Sequence, residues 1–116
     1  MRELFVYGTL MRGEPGHRLM RGARLIASAR TPARFDLVDM GGYPAMVEGG
    51  GTSVAGELYA VDPGLFDTLD AYEDVHDSLY ERADILVAGR RVQAYLLPRS
   101  RATARQRIRS GDWRQH

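Results

Sequence analysis

The chain has 116 residues and a net charge of +1, with 16 arginines against 15 acidic residues. Its hydrophobic content of 44% is ordinary for a globular protein, and the near-neutral charge gives no electrostatic case for a nucleic-acid or membrane partner. Lysine and cysteine are both absent, which excludes Schiff-base chemistry, thiol nucleophiles, disulfides and cysteine metal sites. We predict one domain over 1–116 and, because no leader or membrane-length apolar run is visible, a cytoplasmic location.

The first half of the chain indicates short strands separated by glycine and proline. Leu4 to Tyr7 is an apolar run that stops at Gly8, a pattern typical of a strand buried on both faces. Residues 14–22 predict a short, weak helix that ends at Gly22. Further extended segments are predicted over 24–38, with either a break at Thr31-Pro32 or an edge strand there, over 43–47 after Gly41-Gly42, and over 54–61 after the glycine run 49–51.

The second half predicts one helix, a hairpin and a basic tail. Asp62-Pro63 indicates a helix start, because aspartate caps free N–H groups and proline suits the first helical position; the helix is expected to reach about Val75. Strands at 80–88 and 91–97 are expected to join across Gly89-Arg90. The arginine-rich tail, 98–116, is expected either as a helix against the body or as a partly disordered segment. Strands dominate, so the predicted fold is α+β: a small mixed β-barrel of about five to six strands with one main helix.

Glu73 stands out on the predicted helix. On a wheel of roughly 100° per residue, an apolar stripe forms from Leu65, Phe66, Leu69 and Tyr72, and Glu73 falls inside it. Asp67, Asp70 and Asp74 fall on the opposite, solvent side. A carboxylate on an apolar face at the negative end of a helix is expected to have a raised pKa, which suits a general acid or base. Pairing with an arginine, or contact with water at the helix end, is an equally good interpretation from the wheel.

The turn Tyr7-Gly8-Thr9-Leu10 is the second candidate. Successive backbone N–H groups in a tight turn form a concave anion site, which holds a carboxylate or a developing oxyanion without a cationic side chain. A strand that ends in glycine is also common in proteins without any such role.

Other polar residues give weaker signals. The three histidines lack metal-ligand spacing, so neither a metal nor another cofactor is expected. No serine lies in a nucleophile elbow. The tail arginines lack interleaved aromatic residues, which favours a solvated face over nucleic-acid binding.

These segments together resemble the γ-glutamyl cyclotransferase-like family, which includes γ-glutamylamine cyclotransferases and small bacterial relatives. The resemblance rests on FVYGTLMRGEPGHRLM, GGYPAMV, GELYAVDPGLFDTLDAYEDV and the segment 79–82, spread over residues 4–97. It implies a barrel-containing α+β fold with a pocket at one mouth. The family's catalytic glutamate corresponds to Glu73, and its substrate-binding turn to Tyr7, Gly8, Thr9 and Leu10. Relatives often carry asparagine where this chain has Gly16, which is a departure on that side of the pocket.

The reaction implied by the resemblance needs no cofactor. The α-amine of a γ-glutamyl amide attacks its own γ-carbonyl, which gives 5-oxoproline and a free amine, with Glu73 moving the protons. Tyr43, Tyr80 and Arg82 are candidate residues of the pocket rim. Two alternatives stay open: a non-catalytic module that binds a small metabolite in the same pocket, and an interaction protein that acts through its arginine-rich tail. The expected partner is a small molecule, neither nucleic acid nor membrane, and monomer and homodimer are equally compatible with the sequence.

Overall fold

The computed structural model describes residues 2–73, 80–103 and 105–115. Its strands are β1 (Arg2–Val6), β2 (Arg24–Arg30), β3 (Phe35–Asp39), β4 (Pro44–Glu48), β5 (Ala55–Val61), β6 (Glu81–Val87), β7 (Arg90–Leu96) and β8 (Gln106–Arg107). One α-helix, α1 (Leu65–Tyr72), lies between β5 and β6, and short 3-10 turns cover His17–Met20, Arg99–Arg101 and Trp113–Gln115. No helix among the described residues is long and apolar enough to cross a membrane.

The strands form one mixed sheet that curls into a half-barrel, in the order β2-β5-β1-β7-β4-β3-β8. This confirms the predicted α+β class and mixed barrel. Among the described residues the strand count is eight rather than five or six. The segment predicted over 24–38 forms two strands, β2 and β3, and the tail adds the two-residue strand β8 to β3, where Val38 faces Arg107.

Strand β7 is the point where the sheet divides. Strand β6 pairs antiparallel along the whole of β7. Both β1 and β4 pair with β7 in parallel, β1 where Leu4 faces Gln93 and β4 where Met46 faces Leu96. Since β6 occupies one edge of β7, β1 and β4 share the other edge in succession. The end of β1 and the start of β4 therefore lie beside each other.

Alternate residues of β1 belong to two hydrophobic clusters, as expected for a strand buried on both faces. Leu4 and Val6 join the cluster that contains Phe66 and Leu69 of α1. Phe5 and Tyr7 join the second cluster, with Met46 of β4 and Val92 of β7 among its members. The end of β1 is thus packed on both faces of the sheet, with Val6 in the first cluster and Tyr7, the next residue, in the second.

Several predicted boundaries change. The helix begins at Leu65, after a turn in which Asp62 Oδ1 accepts the N–H of Gly64 at 3.2 Å, and it ends at Tyr72; Val75 lies outside the described residues. The hairpin turn is Ala88-Gly89 rather than Gly89-Arg90, since both residues have positive φ (52° and 74°), as a two-residue type I′ turn requires.

The tail is neither an α-helix nor disordered where it is described. After β8, the Ile108 N–H donates to the Leu37 carbonyl at 2.7 Å, and the Ile108 side chain is buried. Gly111 then packs so closely on the segment just before β5 that an added Cβ would lie 2.0 Å from the Ser53 carbonyl oxygen. The tail thus crosses the sheet as a strap, residues 106–115, which is attached by backbone hydrogen bonds, by the buried Ile108 side chain and by Trp113.

Candidate active site

A cavity of about 440 Å³ opens between the end of β1, the start of β4 and the end of α1. It is lined by Phe5, Val6, Tyr7, Gly8, Thr9, Leu10, Pro15, Gly42, Tyr43, Pro44, Tyr72, Glu73, Tyr80 and Tyr95. All seven residues proposed from the sequence as site residues, Tyr7, Gly8, Thr9, Leu10, Tyr43, Glu73 and Tyr80, lie in this lining. Arg82, considered for the rim, does not.

The turn after β1 has a one-sided hydrogen-bonding pattern. The carbonyl of Gly8 accepts the Met11 N–H at 3.1 Å, that of Thr9 accepts the Gly16 N–H at 2.7 Å, and that of Leu10 accepts His17 Nδ1–H at 2.9 Å. The N–H groups of Gly8, Thr9 and Leu10 have no acceptor within residues 2–73, 80–103 and 105–115. Buried backbone donors are almost always paired, so three consecutive N–H groups that have no acceptor among the described residues are available to an anion in the cavity.

Gly8 is required because Pro44 packs directly against it, and not because its backbone adopts a positive φ. A Cβ at this position would lie 2.5 Å from Cγ and 2.9 Å from Cδ of Pro44. The proline ring at the start of β4 therefore packs directly on the glycine at the end of β1, and this contact joins two of the sequence segments that carry the resemblance. Any side chain at residue 8 would push the two strands apart at the cavity.

Glu73 lies at the C-terminal end of α1, where its N–H donates to the Leu69 carbonyl at 3.0 Å. The buried residues of α1 are Phe66, Leu69 and Asp70. On the helical wheel these three centre at roughly 90°, close to the roughly 80° of Glu73. Glu73 is half-buried and lines the cavity, so it lies on the face of the helix where the wheel places it.

Two other positions on the wheel were predicted wrongly. Asp70 was expected on the solvent side, but it is 8% exposed; its Oδ1 accepts the Tyr95 hydroxyl at 2.6 Å and lies 3.3 Å from Arg82 Nε. Tyr72 was expected in the apolar stripe and is 42% exposed at the cavity mouth. Side chains from β6 and β7 face Asp70 and supply partners that a wheel of one helix cannot include.

Three buried tyrosines line the cavity together with Glu73, and the hydroxyl group of each already donates a hydrogen bond to another acceptor. Tyr7 donates to the Tyr95 carbonyl at 2.6 Å, Tyr80 to the Pro44 carbonyl at 2.9 Å, and Tyr95 to Asp70. Burial is the largest cause that raises the pKa of each phenol, and the negative charge of Glu73 contributes to all three. The phenols therefore stay neutral, and their oxygens have only acceptor capacity left.

Glu57 was missed by the sequence reasoning and holds the turn in place. This β5 side chain is 2% exposed; its Oε1 accepts the Arg12 N–H at 2.9 Å and the Tyr59 hydroxyl at 3.0 Å, and its Oε2 accepts Arg12 Nε at 3.0 Å. Burial alone would raise the pKa of Glu57, but these hydrogen bonds outweigh it and lower the pKa. The sequence signal was a carboxylate inside the apolar strand VAGELYAV.

The C-terminal strap contacts the same loop from outside. Trp113 Nε1–H donates to Glu14 Oε1 at 3.1 Å. The Arg114 guanidinium donates to the Arg12 carbonyl and lies 3.8 Å from Glu14 Oε2. Arg12 is thus held by Glu57 and by the strap, and Glu14 is held by the strap. These contacts keep the turn at residues 8–10 in position.

The described residues contain no group of three or more potential metal ligands. In the part of the lining that the structure describes, Glu73 is the one carboxylate, and there is no arginine or histidine. What the site offers a ligand is one carboxylate, neutral phenol oxygens and free backbone N–H groups. This set can bind a molecule that carries both a carboxylate and an ammonium, and it can move a proton through Glu73.

Comparison with known proteins agrees with this arrangement. The sequence profile of the gamma-glutamyl cyclotransferase, AIG2-like family matches residues 4–115. The chain is 43% identical over 72 residues to a Vibrio cholerae protein named provisionally as a gamma-glutamylcyclotransferase, with 62% of each chain covered. It is 38% identical over 96 residues to the human gamma-glutamylaminecyclotransferase, covering 75% of this chain and 62% of the human one.

A solved structure shows the same fold. The crystal structure of an AIG2-like protein from Mus musculus superimposes with a TM-score of 0.72 at 33% identity, over 84% of this chain and 76% of the mouse chain. The chain spans only about three fifths of the length of the two relatives above, at 62% of each.

Proposed function

Since the chain belongs to the gamma-glutamyl cyclotransferase, AIG2-like family, we propose that its cavity converts a γ-glutamyl amide into 5-oxoproline and a free amine. The names of the relatives, gamma-glutamylcyclotransferase and gamma-glutamylaminecyclotransferase, support this reaction class. The reaction needs a folded substrate, a place for negative charge and a group that transfers protons. It needs no cofactor and no nucleophile from the protein.

The observation that carries the proposal is the pairing of two features in one cavity. The N–H groups of Gly8, Thr9 and Leu10 have no acceptor in the part of the chain that the structure describes, while the carbonyls of the same residues are bonded away from them. Glu73 lines the same cavity. Preorganised backbone donors stabilise charge that develops in a transition state, and a positioned carboxylate transfers protons. The described lining of the cavity thus contains both requirements, and none of its residues is an arginine or a histidine.

This pairing orients the substrate. The α-carboxylate or the carbonyl oxygen of the substrate binds the free N–H groups at residues 8–10. The α-ammonium, which has three donors, binds Glu73 together with the phenol oxygens of Tyr80 and Tyr95, whose own protons are committed elsewhere. Bound between these two ends, the γ-glutamyl group is held in the folded shape in which its amine lies near its own γ-carbonyl.

The chemistry follows from that shape. Glu73 accepts a proton from the α-ammonium, and the freed amine nitrogen attacks the γ-carbonyl carbon. The tetrahedral intermediate carries its negative oxygen toward the backbone donors. The bond between the γ-carbon and the leaving nitrogen then breaks, and Glu73 returns the proton to that nitrogen. The ring nitrogen gives its remaining extra proton to Glu73, which passes it to the released amine, so that the products are 5-oxoproline with a neutral amide nitrogen and an ammonium ion. One carbon–nitrogen bond forms and one breaks, with no water consumed and no change in oxidation state.

Product identity tests the proposal. The purified protein is incubated with γ-glutamyl-methylamide, and 5-oxoproline, glutamate and methylamine are quantified over time. We expect 5-oxoproline and methylamine in equal amounts without glutamate, because the substrate's own amine is the nucleophile. Glutamate as the product would contradict intramolecular attack. Binding of 5-oxoproline without turnover of any γ-glutamyl amide would favour the non-catalytic alternative.

The residue roles and the location in the cell were expected from the sequence and go beyond the reaction class. Glu73 as acid and base, the turn and the tyrosines as substrate ligands, and a cytoplasmic location all stay predictions for direct measurement.

A further inference from the structure

His17 and Arg18 are two polar residues that the proposed reaction does not use. They begin the 3-10 turn His17–Met20 and are not among the described residues that line the cavity. Both side chains nevertheless donate hydrogen bonds to backbone carbonyls of the loop after β1. Each of these carbonyls begins a chain of hydrogen bonds that ends at an N–H group of the turn beside the cavity.

The first chain leads from His17 to the Thr9 N–H. The His17 ring donates from Nδ1 to the Leu10 carbonyl at 2.9 Å, and Nδ1 carries the proton because a carbonyl oxygen can only accept. The Leu10 carbonyl shares its peptide group with the Met11 N–H, which donates to the Gly8 carbonyl at 3.1 Å. The Gly8 carbonyl shares its peptide group with the Thr9 N–H. Two peptide groups therefore connect the imidazole to this donor.

The second chain leads from Arg18 to the Leu10 N–H. Arg18 Nη1 donates to the Pro15 carbonyl at 3.2 Å. That carbonyl shares its peptide group with the Gly16 N–H, which donates to the Thr9 carbonyl at 2.7 Å. The Thr9 carbonyl shares its peptide group with the Leu10 N–H. This chain begins at a permanent positive charge, since a guanidinium does not lose its proton in proteins.

Hydrogen bonds in such chains strengthen one another. A donor that binds a carbonyl draws electron density from the peptide group and makes the N–H of the same group a stronger donor, by ~10–30% per bond. Both chains are directed toward the cavity, so each adds partial positive charge to an N–H group there. Their sum favours an anion bound at the turn.

The His17 donor is also fixed in position by its surroundings. Its ring centroid lies 5.9 Å from that of Tyr59 on β5, and the Tyr59 hydroxyl donates to Glu57 Oε1 at 3.0 Å. The His17 N–H donates to the Glu14 carbonyl at 3.1 Å. Because both the ring and the backbone are held, the imidazole keeps its bond to the turn without having to reorganise when an anion binds.

From these contacts we infer that His17 and Arg18 are positioning residues of the anion site. His17 orients and polarises the Thr9 N–H, and Arg18 does the same for the Leu10 N–H, each through two peptide groups. Neither side chain has to touch the substrate. The inference rests on the proposed function, in which these N–H groups bind an anionic part of the substrate.

Asparagine and leucine at residue 17 separate the hydrogen bond from the ring. The Nδ2 of asparagine is as far along the side chain as Nδ1 of histidine and can donate to the same carbonyl, whereas leucine has a methyl group there. Both variants lose the imidazole ring. We expect kcat/KM for 5-oxoproline release from γ-glutamyl-methylamide to be roughly three- to tenfold lower in His17→Leu than in His17→Asn, as the loss of one hydrogen bond implies.

Arg18→Met tests the second chain, because methionine keeps the hydrocarbon part of the side chain and removes the guanidinium. Arg18 is exposed, so the expected fall in kcat/KM is smaller, about two- to threefold. Arg21→Met is the matched control. It makes the same substitution at an exposed arginine just after the same 3-10 turn and should leave both kcat and KM unchanged.

Amide NMR spectra of the free, isotopically labelled protein measure the polarisation without requiring turnover. A weaker chain of hydrogen bonds moves the amide proton signal at its end to a lower chemical shift. His17→Leu should move the Thr9 signal more than the Leu10 signal, and Arg18→Met should move the Leu10 signal more than the Thr9 signal. A general loss of stability does not produce this crossed pattern.

The outcomes separate this inference from the proposed function. Equal kcat/KM in His17→Leu and His17→Asn, full activity in Arg18→Met, or amide shifts without the crossed pattern would each overturn the inference while the proposed function stands. Since Arg18 is exposed, its variant keeps the test decisive even if His17→Leu does not fold. If the parent releases no 5-oxoproline, the proposed function fails, and the amide shifts alone decide whether the two chains polarise the turn.

Discussion

Replacement of Glu57 by glutamine tests how the turn after β1 is held. Glutamine keeps one oxygen, which can still accept the Arg12 N–H and the Tyr59 hydroxyl. It replaces the other oxygen, which accepts Arg12 Nε at 3.0 Å, by an NH₂ group, so a donor faces a donor. A hydrogen bond to a charged group contributes about 1.5–3 kcal/mol, and we therefore expect Glu57→Gln to lower the free energy of unfolding by about 2–3 kcal/mol.

The assay combines stability with kinetics. Urea unfolding at pH 7 gives the free energy of unfolding, and turnover of γ-glutamyl-methylamide gives KM and kcat. We expect KM to rise by a larger factor than kcat falls, because Glu57 positions the loop that carries the free N–H groups and does not line the cavity. Glu48→Gln, a carboxamide substitution of an exposed residue on β4, is the matched control and should change neither quantity. A stability loss below about 0.5 kcal/mol would refute the structural reasoning, and an unchanged KM would refute the positioning role.

The effect of Glu57 should also depend on pH. Because its pKa is lowered in the folded state, the ionised carboxylate stabilises the protein above the unfolded-state pKa of about 4.5, and this contribution is lost as the pH falls through the folded-state value. The stability difference between the parent and Glu57→Gln should therefore be full at pH 7 and shrink below about pH 4.5. A difference that grows on acidification would show that the sign is wrong.

Three further predictions address the packing around the site. Gly8→Ala should lower the free energy of unfolding by about 1–3 kcal/mol and raise KM, because its Cβ would overlap a proline ring; Gly51→Ala, which has nothing within 4 Å, is the control, and equal effects in urea unfolding would contradict the close-approach argument. Arg114→Ala should lower stability by at most ~1 kcal/mol, since its ion pairs are partly exposed, yet raise KM; an unchanged KM would separate the strap from the site. Burial, together with the neighbouring Glu57, raises the pKa of Tyr59 from 10.0 to about 12. The neutral phenol therefore contributes stability below pH 10, and this contribution is lost as the pH rises toward 12. Tyr59→Phe should lose less stability over that interval, and an equally steep loss in both proteins would contradict the assignment.

The sequence predicted much of the fold because its signals are local. The break at Thr31-Pro32, the turn at Gly41-Gly42 and the strand over 54–61 all appear in the structure close to their predicted places. Apolar runs and turn residues act over a few neighbours, so they can be recognised without knowing the partners. The helix was found for the same reason, although its C-terminal boundary was placed beyond Tyr72.

The support of the site could not be predicted, because it depends on contacts between distant residues. Glu57 binds Arg12 across 45 positions, and Arg114 binds the same residue across 102. Neither contact leaves a periodic pattern. The burial of Asp70 likewise depends on Tyr95, 25 residues away. The strap was unpredictable for a related reason, since its contacts also reach distant residues: Ile108 bonds to Leu37 and Trp113 to Glu14.

The central claim is that Glu73 transfers the protons of an intramolecular cyclisation. Its most direct test is kcat for 5-oxoproline release from γ-glutamyl-methylamide by the parent and by Glu73→Gln, with urea unfolding to verify that both proteins fold alike. Loss of a positioned general base typically lowers the rate by ~10²–10⁴-fold, and a drop of that size in a stably folded variant is the result expected here. A Glu73→Gln protein that turns over as fast as the parent would contradict the account.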